Sequence, residues 1–349
     1  MDGVRELRGL DRRLTRREFV SGSLASAATF FGHAGIGNAR QGAPVRIGDA
    51  GTVFHVHGFH AAPDRGGGRR IDLQIDDMRN LAATSVTVIL PTEEYVGKAA
   101  EGRLLVVTRL HFDNFDEIAR VVERQLAIHE GLQAPLFQVG NEIDQEKFGG
   151  VNLSPERFVR EVFLPVVSAT RDRGGKILIP PMGPGSPTEF AYLDTLVRAI
   201  KVLIPPDVIR ESLGVCIHNY FYEGQDPLER VWRIYQQTRN VLGSLPIYIT
   251  EAGLNQNRAR FYPDDVIRDE TLRYGRMPVG DLPIAVNNWW VIGNRVFRGP
   301  PLPEHVTLYE DFETNAWRKE ADTITPVYAA VSHLAQQMRA GSRVAASIR

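Results

Sequence analysis

Short apolar runs alternate with longer amphipathic segments about eight times along the chain from residue 52 onward. Most of these runs lack the alternation of a half-exposed strand, so they predict parallel strands covered on both faces. The predicted strands are Thr52–His57, Ser85–Leu90, Leu104–Leu110, Leu136–Gly140, Lys176–Pro180, Gly214–Asn219, Ile247–Thr250 and Ile284–Asn288. Eight strand–helix units favour closure of the sheet, and the predicted fold class is therefore α/β, a single-domain (β/α)8 TIM barrel. An open doubly wound sheet is the alternative, although no Gly-x-Gly-x-x-Gly follows a strand.

The segments between the strands carry helix signals. Asn114 and Glu117 form a capping-box pattern ahead of an apolar helical face. Ser154 opens another helix, which Pro165 is expected to kink or interrupt. The segment Pro91–Arg103 is too short for a full helix, so we expect a degenerate connection there.

Composition excludes several classes of function. The chain has 349 residues, of which 43% are hydrophobic and 24% are charged, as in an ordinary globular protein. Lys and Arg number 41 against 42 Asp and Glu, so charge favours neither nucleic acid nor an anionic membrane as the main partner. The single cysteine, Cys216, excludes an intramolecular disulfide framework and a multi-cysteine metal site, and its apolar surroundings favour a buried thiol.

The first 39 residues have the pattern of an export signal. Arg12–Val20 is basic, the following small and apolar run Ser21–Phe31 is too short to span a bilayer, and Gly37-Asn38-Ala39 offers a cleavage site. The stretch Thr15–Val20 resembles a twin-arginine signal, which implies the twin-arginine export machinery as a partner. Residues 40–349 would then form the exported barrel domain, periplasmic or extracellular, without a stable membrane partner. Retention of an uncleaved anchor and a disordered basic tail are the alternatives.

Two glutamates follow apolar strands directly. Glu142 ends the fourth strand in the run Gly140-Asn141-Glu142, and Glu251 ends the seventh. Catalytic groups of a barrel enzyme lie at the carboxyl ends of the strands, so both side chains are expected at the same mouth. Hydrolysis of a glycosidic bond uses one protonated and one ionised carboxyl group, and a pair in different environments supplies that difference.

These residues resemble the cellulase-like clan (clan A) of retaining (β/α)8-barrel glycoside hydrolases. The resemblance implies that Glu142 is the acid/base, that Glu251 is the nucleophile, and that Asn141 hydrogen-bonds the sugar 2-hydroxyl. It also implies a β-linked oligo- or polysaccharide as substrate and a mechanism without cofactor or metal. Retention further implies carboxyl groups about 5–5.5 Å apart, against about 6.5–9.5 Å for inversion.

Five further residues agree with this resemblance. His218 and Tyr220 on the sixth strand resemble the clan's His-x-Tyr, whose tyrosine hydrogen-bonds the nucleophile. His111, after the third strand, is either a substrate contact or a structural residue, and His218 has the same structural alternative. Of Trp289 and Trp290 on the eighth strand, one is expected to floor a sugar subsite and the other to pack behind the barrel.

The second strand departs from the clan. Many members end that strand with an arginine that supports the nucleophile, whereas Leu90 and Pro91 stand there in this chain. Arg109, on the third strand, is the candidate for the same role.

Two other functions compete with this interpretation. His55 and His57 lie on one face of the first predicted strand, as the metal ligands of barrel amidohydrolases do, although the further ligands expected after the fifth and eighth strands are missing. A non-catalytic carbohydrate-binding protein on a glycosidase scaffold is the second alternative, but binding alone does not require both glutamates.

Overall fold

Eight parallel strands close into a barrel in sequence order, which confirms the predicted fold class. The computed structural model describes residues 58–61, 68–148, 150–254, 262–290, 318–320, 323–324 and 326–347, all within one compact unit, Ala43–Arg349. The barrel strands are β1 (Gly58–Ala61), β2 (Ser85–Ile89), β3 (Leu105–Leu110), β4 (Leu136–Val139), β5 (Lys176–Ile179), β6 (Leu213–Phe221), β7 (Ile247–Leu254) and β8 (Ile284–Trp290). A two-stranded antiparallel pair, β9 (Arg318–Glu320) and β10 (Thr323–Ile324), follows.

Helices connect the strands. They are α1 (Gly68–Asn80), α2 (Glu93–Glu101), α3 (Ile118–His129), α4 (Pro155–Phe158), α5 (Leu164–Arg171), α6 (Glu189–Leu203), α7 (Pro206–Ser212), α8 (Pro227–Leu242), α9 (Asp264–Gly275) and α10 (Pro326–Ser347). Within the described ranges, none of them combines the length and the apolar character that crossing a membrane requires.

The first strand closes the barrel. Its described part, Gly58–Ala61, pairs with β2 on one side and β8 on the other. The predicted strand Thr52–His57 lies outside the described residues, as do the export signal of residues 1–39 and the pair of His55 and His57.

Two helical connections bear on the predictions. The expectation of a degenerate segment after β2 is wrong, because Thr92 accepts a hydrogen bond from the Tyr95 amide at 3.2 Å and caps the nine-residue helix α2. The interruption expected near Pro165 is confirmed, since a π-helical turn, Val159–Phe163, separates α4 from α5. Pro165 has no amide hydrogen to continue the α-helical pattern there.

The apolar residues form two layers. The larger lies between the strands and the surrounding helices and includes Val106, Phe137 and Ile217. The smaller fills the inside of the barrel and consists of Val107, Leu136, Leu178, Cys216, Tyr248 and Val286. Strand residues therefore alternate between the helix layer and the interior, and polar residues at interior positions further along each strand face the barrel mouth.

A β-bulge in β7 breaks this alternation. Ile249 pairs with Ile217 of β6, but the next pair is Glu251 with His218, so Thr250 is an additional residue in β7. Thr250 faces Cys216 inside the barrel, with the two side-chain heteroatoms 3.0 Å apart. The bulge thereby allows Glu251, the very next residue, to face inward as well.

Candidate active site

Glu142 reaches the barrel mouth through a turn at the end of β4. Gly140 has φ of +75°, in the left-handed region that favours glycine, and a Cβ atom there would lie 3.3 Å from the Ile143 side chain. The turn brings Asn141 and Glu142 back over the open end of the barrel. The Glu142 side chain keeps 23% of its surface exposed, so it is accessible from the mouth.

Glu251 is almost entirely buried and is held by charged and polar partners. Its side chain is 6% exposed, and Arg109 of β3 donates from Nη1 to its Oε1 at 2.6 Å. The Tyr220 hydroxyl donates to its Oε2 at 2.8 Å. Burial, and to a lesser extent the nearby Glu251 carboxyl group, raise the pKa of Tyr220 well above its ordinary value. The phenol therefore remains a hydrogen-bond donor.

His218 joins the two glutamates. Its Nδ1 lies 3.0 Å from Oε1 of Glu142 and 3.4 Å from Oε2 of Glu251. The ring is fully buried, and this burial lowers the pKa of His218 to about 4 despite the opposing influence of the Glu251 carboxylate. At neutral pH, His218 is therefore an uncharged bridge between two carboxyl groups.

The two glutamates occupy different electrostatic environments. Burial and the charge of Asp144 raise the pKa of Glu142, while the charges of Arg109 and Arg230 oppose the shift. Glu251, by contrast, has the Arg109 guanidinium in direct contact. The arrangement therefore favours a proton on Glu142 and places a cation directly beside Glu251.

Several residues that support the site were not predicted from the sequence. Arg230 of α8 donates to the backbone carbonyl of His218, donates to the Met182 carbonyl at 3.1 Å, and pairs with Glu189 at 2.5 Å. Asp144 accepts from the Gly183 amide at 2.7 Å and so ties the loop after β4 to the loop after β5. Neither Arg230 nor Glu189 belongs to a motif that marks it from the sequence alone.

The structure brings most of the predicted site residues together. Glu142, Glu251, His218 and Tyr220 form one hydrogen-bonded group, and Arg109 completes it. Asn141 lies beside Glu142, and its buried Oδ1 has no hydrogen-bond partner within the described part of the chain. His111 stands after β3 with a half-exposed side chain that faces Asp113 at 3.4 Å.

The two tryptophans of β8 differ in what can be described. Trp289 is fully buried and packs edge-on against Phe221 and Tyr274, with ring centroids 6.2 and 5.3 Å away. Trp289 is therefore the tryptophan behind the barrel, and its inclusion among the substrate-binding or supporting residues is corrected to a structural role. Trp290 lies on β8 beside His60 of β1, and its side chain is outside the described residues.

A metal centre finds no support in the described ranges. They contain no group of three or more His, Cys, Asp or Glu residues placed to hold a metal ion. The histidines of the metal-dependent alternative, His55 and His57, lie outside those ranges, so that alternative stays untested.

Among known structures, several glycoside hydrolases have a fold similar to that of this chain. A family 128 (subgroup I) endo-β-1,3-glucanase from Amycolatopsis mediterranei, in complex with laminaritriose, is similar with a TM-score of 0.51 and 14% identity, over 79% of this chain and 98% of that chain. A glucosidase from Croceicoccus marinus is similar with a TM-score of 0.58 and 10% identity, over 81% and 68%.

A third similar structure is a family 39 glycoside hydrolase from Bacteroides cellulosilyticus WH2, with a TM-score of 0.50 and 12% identity over 79% of this chain and 63% of that one. Identities this low show the fold alone. No protein-family model and no curated protein sequence matches this chain.

Proposed function

We propose that the protein is a retaining glycoside hydrolase that acts on a β-linked oligo- or polysaccharide by double displacement. The observation that carries the proposal is the shared contact of both glutamates with Nδ1 of His218, at 3.0 and 3.4 Å. These two distances limit the separation of the contacting carboxylate oxygens to about 6.4 Å. That limit admits the separation of about 5–5.5 Å between the two carboxyl groups of retaining enzymes.

Glu251 is the nucleophile in this proposal. Arg109 and Tyr220 donate to its two oxygens at 2.6 and 2.8 Å, and hydrogen bonds to a carboxylate favour its charged form. The same contacts fix the orientation of the carboxylate, so that attack on the anomeric carbon needs little rearrangement.

Glu142 is the acid/base. Its pKa is raised by burial and by Asp144, so it can carry a proton when the leaving oxygen needs one. In the first step, Glu251 bonds to the anomeric carbon while the glycosidic oxygen departs with the proton of Glu142. In the second step, Glu142 takes a proton from water, the water oxygen attacks the anomeric carbon, and the bond to Glu251 breaks.

The surroundings suit a sugar substrate. The buried Oδ1 of Asn141, without a partner within the described residues, can accept a hydrogen bond from a hydroxyl group of the sugar beside the reacting centre. Export through the twin-arginine machinery, and hence action outside the cytoplasm, belongs to the same proposal and rests on residues 12–39. The scheme itself uses no metal and no organic cofactor.

Hydrolysis of a panel of β-1,3- and β-1,4-linked glucans and xylans, with the anomeric product followed by proton NMR, tests the proposal. We expect a β-configured first product. Glu142→Ala in the presence of azide should give a β-glycosyl azide, whereas Glu251→Ala should give the α-glycosyl azide, because azide replaces a different group in each variant.

Two outcomes contradict the proposal. An α-configured first product would show inversion. Sugar binding without hydrolysis in the unmutated protein would instead support a carbohydrate-binding protein on a glycosidase scaffold.

A further inference from the structure

Gln138 lies inside the barrel directly below the glutamates, and the mechanism above does not use it. The residue is on β4 and is fully buried. Its Nε2 donates to the backbone carbonyl of Gly140 at 3.1 Å and lies 3.5 Å from Nε2 of His218. Because this amide is buried, its hydrogen-bonding groups have to match those of the Gly140 carbonyl and the His218 ring.

The Gly140 carbonyl determines which way the amide points. A carbonyl oxygen only accepts hydrogen bonds, so the NH2 group of Gln138 has to face it. In the reverse orientation, Oε1 of Gln138 could accept from a protonated Nε2 of His218, but it would lie 3.1 Å from the Gly140 oxygen with no hydrogen between them. The NH2 group therefore also faces His218.

Both sides of the His218 ring then indicate the same protonation. Nε2 faces a donor, so it has to present its lone pair. Nδ1 faces carboxyl oxygens of both glutamates, and Glu251, which is ionised in the proposed function, can only accept, so Nδ1 has to carry the hydrogen. One tautomer satisfies both requirements, the neutral ring with its proton on Nδ1.

We propose that Gln138 is a positioning residue that holds His218 in the neutral Nδ1–H tautomer, so that a single N–H serves both carboxyl groups. This inference rests on the proposed function, because it assigns Gln138 a part in setting the protonation of the acid/base. The amide acts through the ring and does not touch the substrate.

The charged neighbours of His218 explain why a neutral ring matters. The charged groups around it are Glu142 after β4, Glu251 on β7, Arg109 on β3, and Arg230 on α8, which binds its backbone carbonyl. An imidazolium at this place would favour ionisation of Glu142 and so remove the proton that the leaving oxygen needs. A donor opposite Nε2 disfavours that imidazolium, in the same direction as burial.

Nitrogen-15 NMR of the full chain with labelled histidine tests the proposal directly. We expect His218, assigned by its absence from the spectrum of His218→Gln, to show a protonated Nδ1 and an unprotonated Nε2 at neutral pH. A protonated Nε2 in the unmutated protein, in either the other tautomer or the imidazolium, would overturn the inference. This result does not depend on activity, so it is distinguishable from a failure of the proposed function.

A matched pair of variants tests the role in catalysis. Gln138→Glu places an acceptor opposite Nε2, so we expect both ring nitrogens to be protonated, the alkaline limb of the kcat/KM profile to move to lower pH, and kcat/KM to fall about ten- to hundredfold. Gln138→Met has a similar size and neither donor nor acceptor, so His218 should stay neutral and the alkaline limb should stay in place. Equal losses in both variants, with the limb and the spectrum unchanged, would reduce Gln138 to a structural residue.

Discussion

The contact between Arg109 and Glu251 gives the sharpest quantitative prediction. Arg109→Met keeps an unbranched apolar side chain and removes the charge and the donors of the guanidinium. The side chains of the pair are 11% and 6% exposed, so the Glu251 carboxylate would lose its cation without gaining water. Arg109 lies 2.6 Å from Oε1, whereas Oε2 keeps the Tyr220 hydroxyl at 2.8 Å and His218 at 3.4 Å.

Removing one partner of a buried ion pair costs about 3–5 kcal/mol, because the other charge stays buried and uncompensated. Since two donors to Glu251 remain, we expect the lower end, a loss of about 3 kcal/mol in the free energy of unfolding at neutral pH. Glu251→Gln should also destabilise the protein, because it leaves the buried guanidinium of Arg109 without its anion. The double variant buries neither charge and should be more stable than either single variant by at least about 1 kcal/mol.

Urea unfolding followed by circular dichroism measures all four proteins under one condition. The slope of the transition serves as the control, since an unchanged slope means that the same surface is exposed on unfolding. A loss of less than about 1 kcal/mol in the free energy of unfolding of Arg109→Met would refute the reasoning, because that is the contribution of a solvent-exposed ion pair to stability. Simple addition of the two single losses in the double variant would refute it as well.

Three further predictions follow from the same contacts. Asp144→Asn removes a charge that raises the pKa of Glu142, so the alkaline limb of kcat/KM should move to lower pH, and an unmoved limb would contradict this. Burial lowers the pKa of His129 and of His218 to about 4, from about 6.5 in the unfolded chain. Between pH 6.5 and pH 4 the unfolded chain therefore binds more protons than the folded protein, and the free energy of unfolding should fall as the pH drops from about 6.5 to about 4. His129→Gln should make this fall less steep in urea titrations, and an identical slope would count against it. Gly140→Ala requires a left-handed alanine and should cost about 1–2 kcal/mol in unfolding free energy together with a loss of kcat, whereas unchanged values would show that the turn is not needed.

The barrel was predictable because its determinants are local. Buried parallel strands are continuous apolar runs, and their repetition with helices indicates closure. Glu142 and Glu251 were predictable for a related reason, since the carboxyl ends of parallel strands meet at one edge of the sheet.

The exact placement of Glu251 depends on a feature that has no sequence pattern of its own. Strict alternation along β7 would point Tyr248 and Thr250 into the barrel and Glu251 toward the helices. The bulge at Thr250 reverses this, and it becomes visible only in the register with β6. The same alternation, applied to β8, places Asn287 and Trp289 on the outward face. Tyr274 of α9 contacts both of them, since its hydroxyl donates to Asn287 and its ring packs edge-on against Trp289.

Contacts across the barrel needed the closed structure. Arg109 and Glu251 are 142 residues apart in sequence and meet because β3 and β7 face the same mouth. Gln138 is the single polar residue of an otherwise apolar strand. Its neighbour His218 is 80 residues away in sequence, so the contact between them is visible only in the folded barrel. The helix α2 was not predicted because the connection after β2 is short. Its N-cap, Thr92, directly follows Pro91, and the helix that begins there has only nine residues.

Covalent trapping of the nucleophile tests the central claim most directly. The full chain is incubated with 2-deoxy-2-fluoro-β-glucosyl fluoride and with the corresponding laminaribiosyl and cellobiosyl fluorides, digested, and mapped by mass spectrometry. The fluorine slows both steps, and the good leaving group allows the glycosyl-enzyme to accumulate. Our account predicts an adduct on the peptide that contains Glu251, and no adduct in Glu251→Gln. An adduct on Glu142, or none with any reagent while the protein still hydrolyses a β-linked glycan, would contradict it.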